Sequence, residues 1–177
     1  DLPLVYRVPV AEGAPGGRAA LRIVAYGDSF TAEAAGHASY AHSLVEALAS
    51  RGIFVEVLGC GFVGLTAHRL AEAFGEPAFR DAFRQFGPGL KALARPRGRE
   101  EPPADLALLL CGSADIVEFT KAYNIVEPSQ VARAIKRLHA GCHELGVPTV
   151  ALGLPDLWAS KAMLDRLREV NRELARW

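Results

Sequence analysis

The sequence lacks an excess of charge of either sign, because 20 basic side chains balance 20 acidic ones. Proteins that bind nucleic acids or acidic membranes carry a basic surplus, so we expect neither kind of partner. The chain also lacks any apolar run that approaches the length of a membrane span. Half of its 177 residues are hydrophobic, which is enough to bury one sizeable core.

Cysteine is scarce as well. The three cysteines, Cys60, Cys111 and Cys142, are odd in number, and each lies among apolar or small residues. We therefore expect small buried side chains rather than a disulfide framework. This usage slightly favours a reducing compartment but leaves the localisation undetermined.

Apolar runs alternate with amphipathic stretches along the chain. The predicted strands span residues 21–26, 53–58, 106–110 and 147–152, and the predicted helices span 32–51, 66–74, 130–145 and 160–177. This alternation predicts a parallel sheet with right-handed crossovers. Residues 1–20 are predicted to form an arm or edge segment with a flexible turn. The spacing of three phenylalanines predicts a further helix over 76–86, and the prolines and charges of 87–104 predict an exposed loop.

Unusual residues follow three of the predicted strands. Gly27-Asp28-Ser29 ends the first, Gly-Cys-Gly-Phe-Val-Gly-Leu-Thr occupies 59–66 after the second, and Cys-Gly-Ser-Ala-Asp occupies 111–115 after the third. In a parallel sheet these loops lie at one edge, where ligand sites gather. A helix predicted to begin near Thr31 would favour developing negative charge beside Ser29.

This combination of loops resembles the SGNH hydrolases, also called the GDSL family of esterases and lipases, over residues 21 to about 177. The resemblance implies a flavodoxin-like three-layer α/β/α sandwich with a mainly parallel sheet. It implies hydrolysis of a small carboxylic ester with Ser29 as nucleophile, and no cofactor or metal. The backbone N–H groups of Ser29 and Gly64 would hold the oxyanion. Gly64 fits that place better than Gly61, given its distance from the strand and the Thr66 that follows.

The sequence departs from the family pattern in two blocks. Ala114 stands where the family has an asparagine that donates to the oxyanion, and the neighbouring Ser113 is one residue out of place. The family's Asp-x-x-His block, which supplies the catalytic base, does not occur at all. We expect the missing block, with the last strand and helix of the domain, to lie beyond Trp177. Loss of catalysis is the alternative.

Simpler interpretations compete with the catalytic one. Ser29 has the side-chain type preferred at a helix N-cap. Asp28, Gly112 and Asp115 are predicted to support the loops through hydrogen bonds rather than to react. Residues 59–64 match the dinucleotide fingerprint by letters, but they follow the second strand without the required acidic residue, so the match is interpreted as accidental.

The histidines offer no clear base. His139 and His143 have the spacing of two metal ligands on a helix, but no third ligand is near in sequence, so packing is the better interpretation. His37 and His42 are interpreted as surface or packing residues. His68 follows the glycine loop and is the first candidate for a substitute base.

Two other functions remain open from the sequence. A catalytically degenerate SGNH domain could serve as a structural or binding subunit of a larger assembly, with protein partners instead of an ester substrate. A receiver-like signalling domain would need an aspartate at the end of the third strand, where this chain has Cys111.

Overall fold

The computed structural model describes residues 4–7, 21–32, 39–96, 103–116, 126–156 and 160–177. Its strands are β1 (Leu4–Arg7), β2 (Leu21–Gly27), β3 (Val55–Gly61), β4 (Phe79–Arg80), β5 (Phe86–Gly87), β6 (Leu106–Leu110) and β7 (Thr149–Ala151). Its helices are α1 (Tyr40–Ala49), α2 (Ala67–Glu72), α3 (Leu90–Ala94), α4 (Ser113–Ile116), α5 (Pro128–Glu144) and α6 (Lys161–Ala175).

Five strands form the main sheet in the order β1-β3-β2-β6-β7. All neighbouring pairs are parallel except β1 with β3, which run antiparallel. The four parallel strands are those predicted from the apolar runs, with shifted ends.

Helices cover both faces of this sheet, as the alternation of side chains along β2 requires. Val24 and Tyr26 point into the larger core, which includes residues of α2, α3, α5 and α6. Ile23 and Ala25 point into a smaller core with residues of α1 and Tyr6 of β1. The predicted three-layer α/β/α class is confirmed, and burial on both faces explains why the central strands are continuously apolar.

The cysteines behave as predicted, because all three are buried free thiols. Burial raises the pKa of the Cys60 and Cys142 thiols to about 12. Within the described residues, no helix is long and apolar enough to cross a bilayer.

The helix predicted over 76–86 is wrong, because β4 and β5 form a two-stranded hairpin there. The three phenylalanines that suggested a helix have different environments in this hairpin. Phe79 is buried and stacks on Phe62, whereas Phe83 and Phe86 are exposed. The side chain of Asp81 accepts hydrogen bonds from the N–H groups of Phe83 and Gln85, which closes the turn between the strands.

The loop predicted over 87–104 is wrong in part, because α3 occupies Leu90–Ala94. Leu90, Leu93 and Ala94 are buried in the larger core, which stabilises this short helix. The prolines and charges that suggested an exposed loop mostly lie on either side of it.

Candidate functional site

Three loops leave the main sheet at the same edge. Gly27, the last residue of β2, lies opposite Gly61 of β3 and Leu110 of β6. The segments 28–32, 62–66 and 111–115 therefore start side by side, as the strand-end motifs predicted. An ideal Cβ on Gly27 would lie 1.8 Å from the Leu110 carbonyl oxygen, and one on Gly61 would lie 2.0 Å from the Ala32 nitrogen. Both positions require glycine because the backbones approach so closely.

The Asp28 carboxylate connects the first loop to the third. This fully buried side chain accepts through Oδ2 from the Ser113 hydroxyl at 2.6 Å and the Ser113 N–H at 3.0 Å. Its Oδ1 accepts from the Phe30 N–H at 3.1 Å. Burial raises the pKa of Asp28, and the hydrogen bonds from Ser113 and Phe30 oppose that shift. These contacts are the ones on which the proposed supporting role of Asp28 rests.

Ser29 is half-buried at the start of the turn that Asp28 organises. The N–H groups of Thr31 and Ala32 both donate to the Asp28 carbonyl, at 3.0 and 3.2 Å. Within the described residues, we find no protein acceptor for the Ser29 N–H and no hydrogen bond of its hydroxyl. No described residue therefore occupies either group, and both are candidates for contact with a ligand.

The helix predicted to begin near Thr31 is wrong, because Thr31 and Ala32 form a turn and α1 begins at Tyr40. Its N-cap is Ser39, whose hydroxyl accepts from the Ala41 N–H and donates to the Thr31 carbonyl at 3.0 Å. The alternative interpretation of Ser29 as an N-cap is consequently wrong too. Ser29 is therefore not part of the first turn of α1.

Gly64 lies in an exposed turn after β3 with φ at +76°, a conformation that favours glycine. Within the described residues its N–H has no protein acceptor. Gly59 and Gly61 instead lie inside β3, where an ideal Cβ would meet Tyr6 and Ala32 respectively. The first three residues of the apparent dinucleotide fingerprint, 59–61, therefore lie inside a strand, and only residues 62–64 lie in the loop that follows.

The polar side chains of the third loop, Ser113 and Asp115, form hydrogen bonds with other parts of the protein. Gly112 has φ at +115° and packs against Val131 of α5, and the buried Ser113 hydroxyl donates to Asp28. Ser113 is therefore not available as the missing oxyanion donor. Ala114 is half-buried and has no polar side-chain atom. With Ala114 at this position, the family's asparagine donor has no replacement in the described loop.

Asp115 supports α2 from the third loop. Its Oδ2 accepts from the Ala67 N–H at 2.7 Å, while its buried Oδ1 has no partner among the described residues. Burial raises the pKa of Asp115 to about 6, with the nearby Asp28 adding to the rise and the Ala67 N–H opposing it. The proposed supporting role of Asp115 rests on its contact with the Ala67 N–H.

Each described histidine has a partner away from Ser29. His42 pairs with Glu46 at 3.7 Å and His68 with Glu72 at 3.1 Å, both on exposed helix faces. His37, interpreted from the sequence as a surface or packing residue, lies outside the described residues. His68 follows the Gly64 loop in sequence, but its imidazole contacts Glu72, which lies one helical turn later on α2.

His139 and His143 both contact one hydroxyl group. Their imidazoles contact the Thr149 Oγ1 at 2.6 and 2.8 Å. Burial lowers the pKa of His139 to about 4. No group of three or more ligating side chains is found in the part of the chain that the structure describes.

Sequence reasoning missed Asp81, which connects the hairpin to the loop of Gly64. This buried carboxylate accepts through Oδ2 from the Val63 N–H at 3.2 Å, and the Ala82 N–H donates to the Val63 carbonyl at the same distance. The only local signal was an aspartate, a residue favoured in turns, inside the stretch that the phenylalanine spacing marked as helical.

No protein-family model matches this chain, and no curated protein matches its sequence. Solved structures do match it. The SGNH-hydrolase family esterase AlinE4 superimposes with a TM-score of 0.62 at 18% identity, covering 91% of this chain and 74% of that one. The acetyl xylan esterase AlAXEase gives 0.59 at 16% identity, covering 88% and 73%. A lipase/acylhydrolase from Enterococcus faecalis gives 0.54 at 22% identity, covering 88% and 70%. The chain therefore has the fold of the SGNH hydrolases.

Proposed function

We propose that this protein is a serine ester hydrolase that acts on a carboxylic ester through an acyl-enzyme, with Ser29 as nucleophile. One observation carries the proposal: at the sheet edge where three loops converge, neither the hydroxyl nor the N–H of Ser29 has a protein partner among the described residues. The Asp28 carboxylate fixes that turn through three hydrogen bonds. The esterases that share this fold support the choice of reaction.

The proposed reaction begins when the Ser29 oxygen bonds to the ester carbonyl carbon and its proton passes to a base. The carbonyl electron pair moves onto oxygen, where the N–H groups of Ser29 and Gly64 donate to it. Removing one such donor typically costs about 3 kcal/mol in the barrier. Collapse expels the alcohol, which takes the proton from the base. Water then repeats the sequence, releasing the carboxylic acid and restoring the Ser29 hydroxyl.

The base is the part of this mechanism that the described residues do not place at Ser29. The described histidines contact Glu46, Glu72 and Thr149 instead. A serine without a base is a poor nucleophile. We therefore propose that an imidazole from elsewhere in the protein completes the site, and the test uses the full-length protein.

The test compares hydrolysis of p-nitrophenyl acetate by wild type, Ser29→Ala and Ser43→Ala. Ser43 is exposed on α1 and serves as the matched control. Ser29→Ala should lower kcat by about 1,000-fold or more, because the nucleophile is lost. Ser43→Ala should keep the wild-type rate. Equal rates in wild type and Ser29→Ala would refute the hydrolase proposal.

A non-catalytic binding subunit is the second candidate, and Ala114 favours it. The described third loop offers no side-chain donor to an oxyanion, since the Ser113 hydroxyl donates to Asp28. This candidate predicts that wild type and Ser29→Ala share one background rate and that the protein purifies with stable protein partners. Purification as a free monomer would count against it.

A further inference from the structure

The β4–β5 hairpin places an exposed aromatic side chain beside the loop of Gly64. An ideal Cβ on Gly64 would lie 3.0 Å from the Ala82 Cβ, and the Ala82 N–H donates to the neighbouring Val63 carbonyl. Phe83 is the next residue, and 73% of its surface is exposed. The hairpin turn is thus in direct contact with the loop that carries one of the two proposed oxyanion donors.

Asp81 holds the backbone of this turn in one conformation. Its buried carboxylate accepts from the N–H groups of Phe83 and Gln85 within the turn and from Val63 in the glycine loop. Arg84 completes the turn with φ at +65°, the left-handed region. Phe83 therefore projects from an ordered backbone that is fixed relative to Gly64.

Phe83 differs from the other phenylalanines of the hairpin. Phe79 is buried and stacks on Phe62 with ring centroids 4.3 Å apart, and the Arg80 guanidinium lies 4.2 Å from the Phe86 ring centroid. Within the described residues, the Phe83 ring has neither an aromatic nor a cationic partner. Ligand sites are lined mainly by hydrophobic and aromatic side chains, so Phe83, on an ordered backbone beside the Gly64 loop, is a candidate ligand contact.

A second exposed aromatic residue follows the proposed nucleophile directly. Phe30 is 37% exposed, and its N–H is bound to Asp28. One of the two loops that carry the proposed oxyanion donors therefore has Phe30 on it, and the other is contacted by the hairpin turn that carries Phe83. Apolar side chains in such a place favour substrates with apolar groups over those with charged groups.

We propose that Phe83 contacts the acyl group of the substrate, so that this protein prefers esters with an extended apolar acyl chain over acetate esters. The proposal rests on the proposed ester hydrolysis at Ser29. The contact would remove apolar surface of both the chain and the phenyl ring from water, an effect that grows with the number of methylenes. Phe83 is thereby a specificity-determining residue and takes no part in the chemistry.

The test measures kcat/KM for p-nitrophenyl octanoate and p-nitrophenyl acetate with wild type, Phe83→Ala, Phe83→Leu and Phe54→Ala. Phe54 is 40% exposed and precedes β3 at the opposite edge of the sheet, so it is the matched control. Phe83→Ala should lower the octanoate-to-acetate ratio by roughly tenfold, the usual effect of losing apolar contacts with a substrate. Phe83→Leu should retain most of the ratio, and Phe54→Ala should not change it.

A binding measurement separates failure of this proposal from failure of the proposed function. Octanoate is titrated calorimetrically into Ser29→Ala and into Ser29→Ala with Phe83→Ala, and weaker binding in the double variant is expected. A wild-type ratio in Phe83→Ala would overturn the role of Phe83 while leaving hydrolysis at Ser29 intact. If hydrolysis does not depend on Ser29, the calorimetric result alone decides whether Phe83 contacts the acyl chain. Weaker octanoate binding in the double variant would support that contact. No octanoate binding, or equal binding in the two variants, would overturn it.

Discussion

Replacing Asp28 by asparagine tests whether one carboxylate fixes the turn that presents Ser29. The side chain is fully buried and accepts three hydrogen bonds, two from Ser113 and one from the Phe30 N–H. Asparagine keeps the shape of the side chain, but an NH2 group replaces one of the two carboxylate oxygens. Whichever way the amide is placed, at least one backbone N–H then faces a donor instead of an acceptor.

The magnitude follows from the kind of bond that is lost. A hydrogen bond to a charged group contributes about 1.5–3 kcal/mol, and a buried donor left without a partner costs a similar amount. The raised pKa of Asp28 shows that burying its charge is unfavourable, and asparagine removes part of that penalty. We expect Asp28→Asn to lower the free energy of unfolding by about 2 kcal/mol net.

Urea denaturation of wild type, Asp28→Asn, Ser113→Ala and the double variant measures this effect. The two substitutions should be non-additive by at least about 0.5 kcal/mol, because the two side chains are in direct contact and belong to one hydrogen-bond network. Asp165→Asn on the exposed face of α6 is the matched control and should stay within about 0.5 kcal/mol of wild type. Additive effects, or an Asp28→Asn variant as stable as wild type, would refute the argument that this carboxylate holds the loops together.

Two further substitutions test the contacts around the site. The pKa of Asp115 is raised from 3.8 to about 6, so the folded state binds a proton more readily than the unfolded one. Its contribution to stability is therefore present below pH 4 and is lost as pH rises through 6, by at most about 3 kcal/mol. Asp115→Asn should make the difference in unfolding free energy between pH 4.5 and 7.5 smaller than in wild type. An unchanged difference would contradict the raised pKa of Asp115. Gly61→Ala should destabilise the fold by about 2–3 kcal/mol, because the new Cβ would meet the Ala32 nitrogen. Gly75→Ala, where a Cβ meets nothing within 4 Å, is its control, and equal melting temperatures would show that the loops yield easily.

The sequence was sufficient to predict the sheet because its central strands are apolar on both faces. Runs such as residues 21–27 and 106–110 have few alternatives to a buried parallel strand. Their register, with Gly27 opposite both Gly61 and Leu110, then brings together the three loops that the strand-end motifs marked.

The errors arise where distant contacts decide local structure. Ser29 and Ser39 are both suitable N-caps by residue type, but Asp28 is bound to Ser113, 85 residues away, and the helix starts only after Ser39. The hairpin at 79–87 depends likewise on the stacking of Phe79 on Phe62 and on a bond from Val63 to Asp81. Residue spacing alone carries no information about such pairs, so it gave a helix where the structure has two strands.

A direct measurement of the central claim is covalent labelling of the full-length protein with a fluorophosphonate, followed by mass spectrometry of its peptides. The serine oxygen of an activated nucleophile displaces fluoride and forms a stable bond to phosphorus. The account predicts a single label on Ser29, absent from Ser29→Ala and retained in Ser43→Ala. A label on another side chain, or an unlabelled Ser29 in the folded full-length protein, would contradict it.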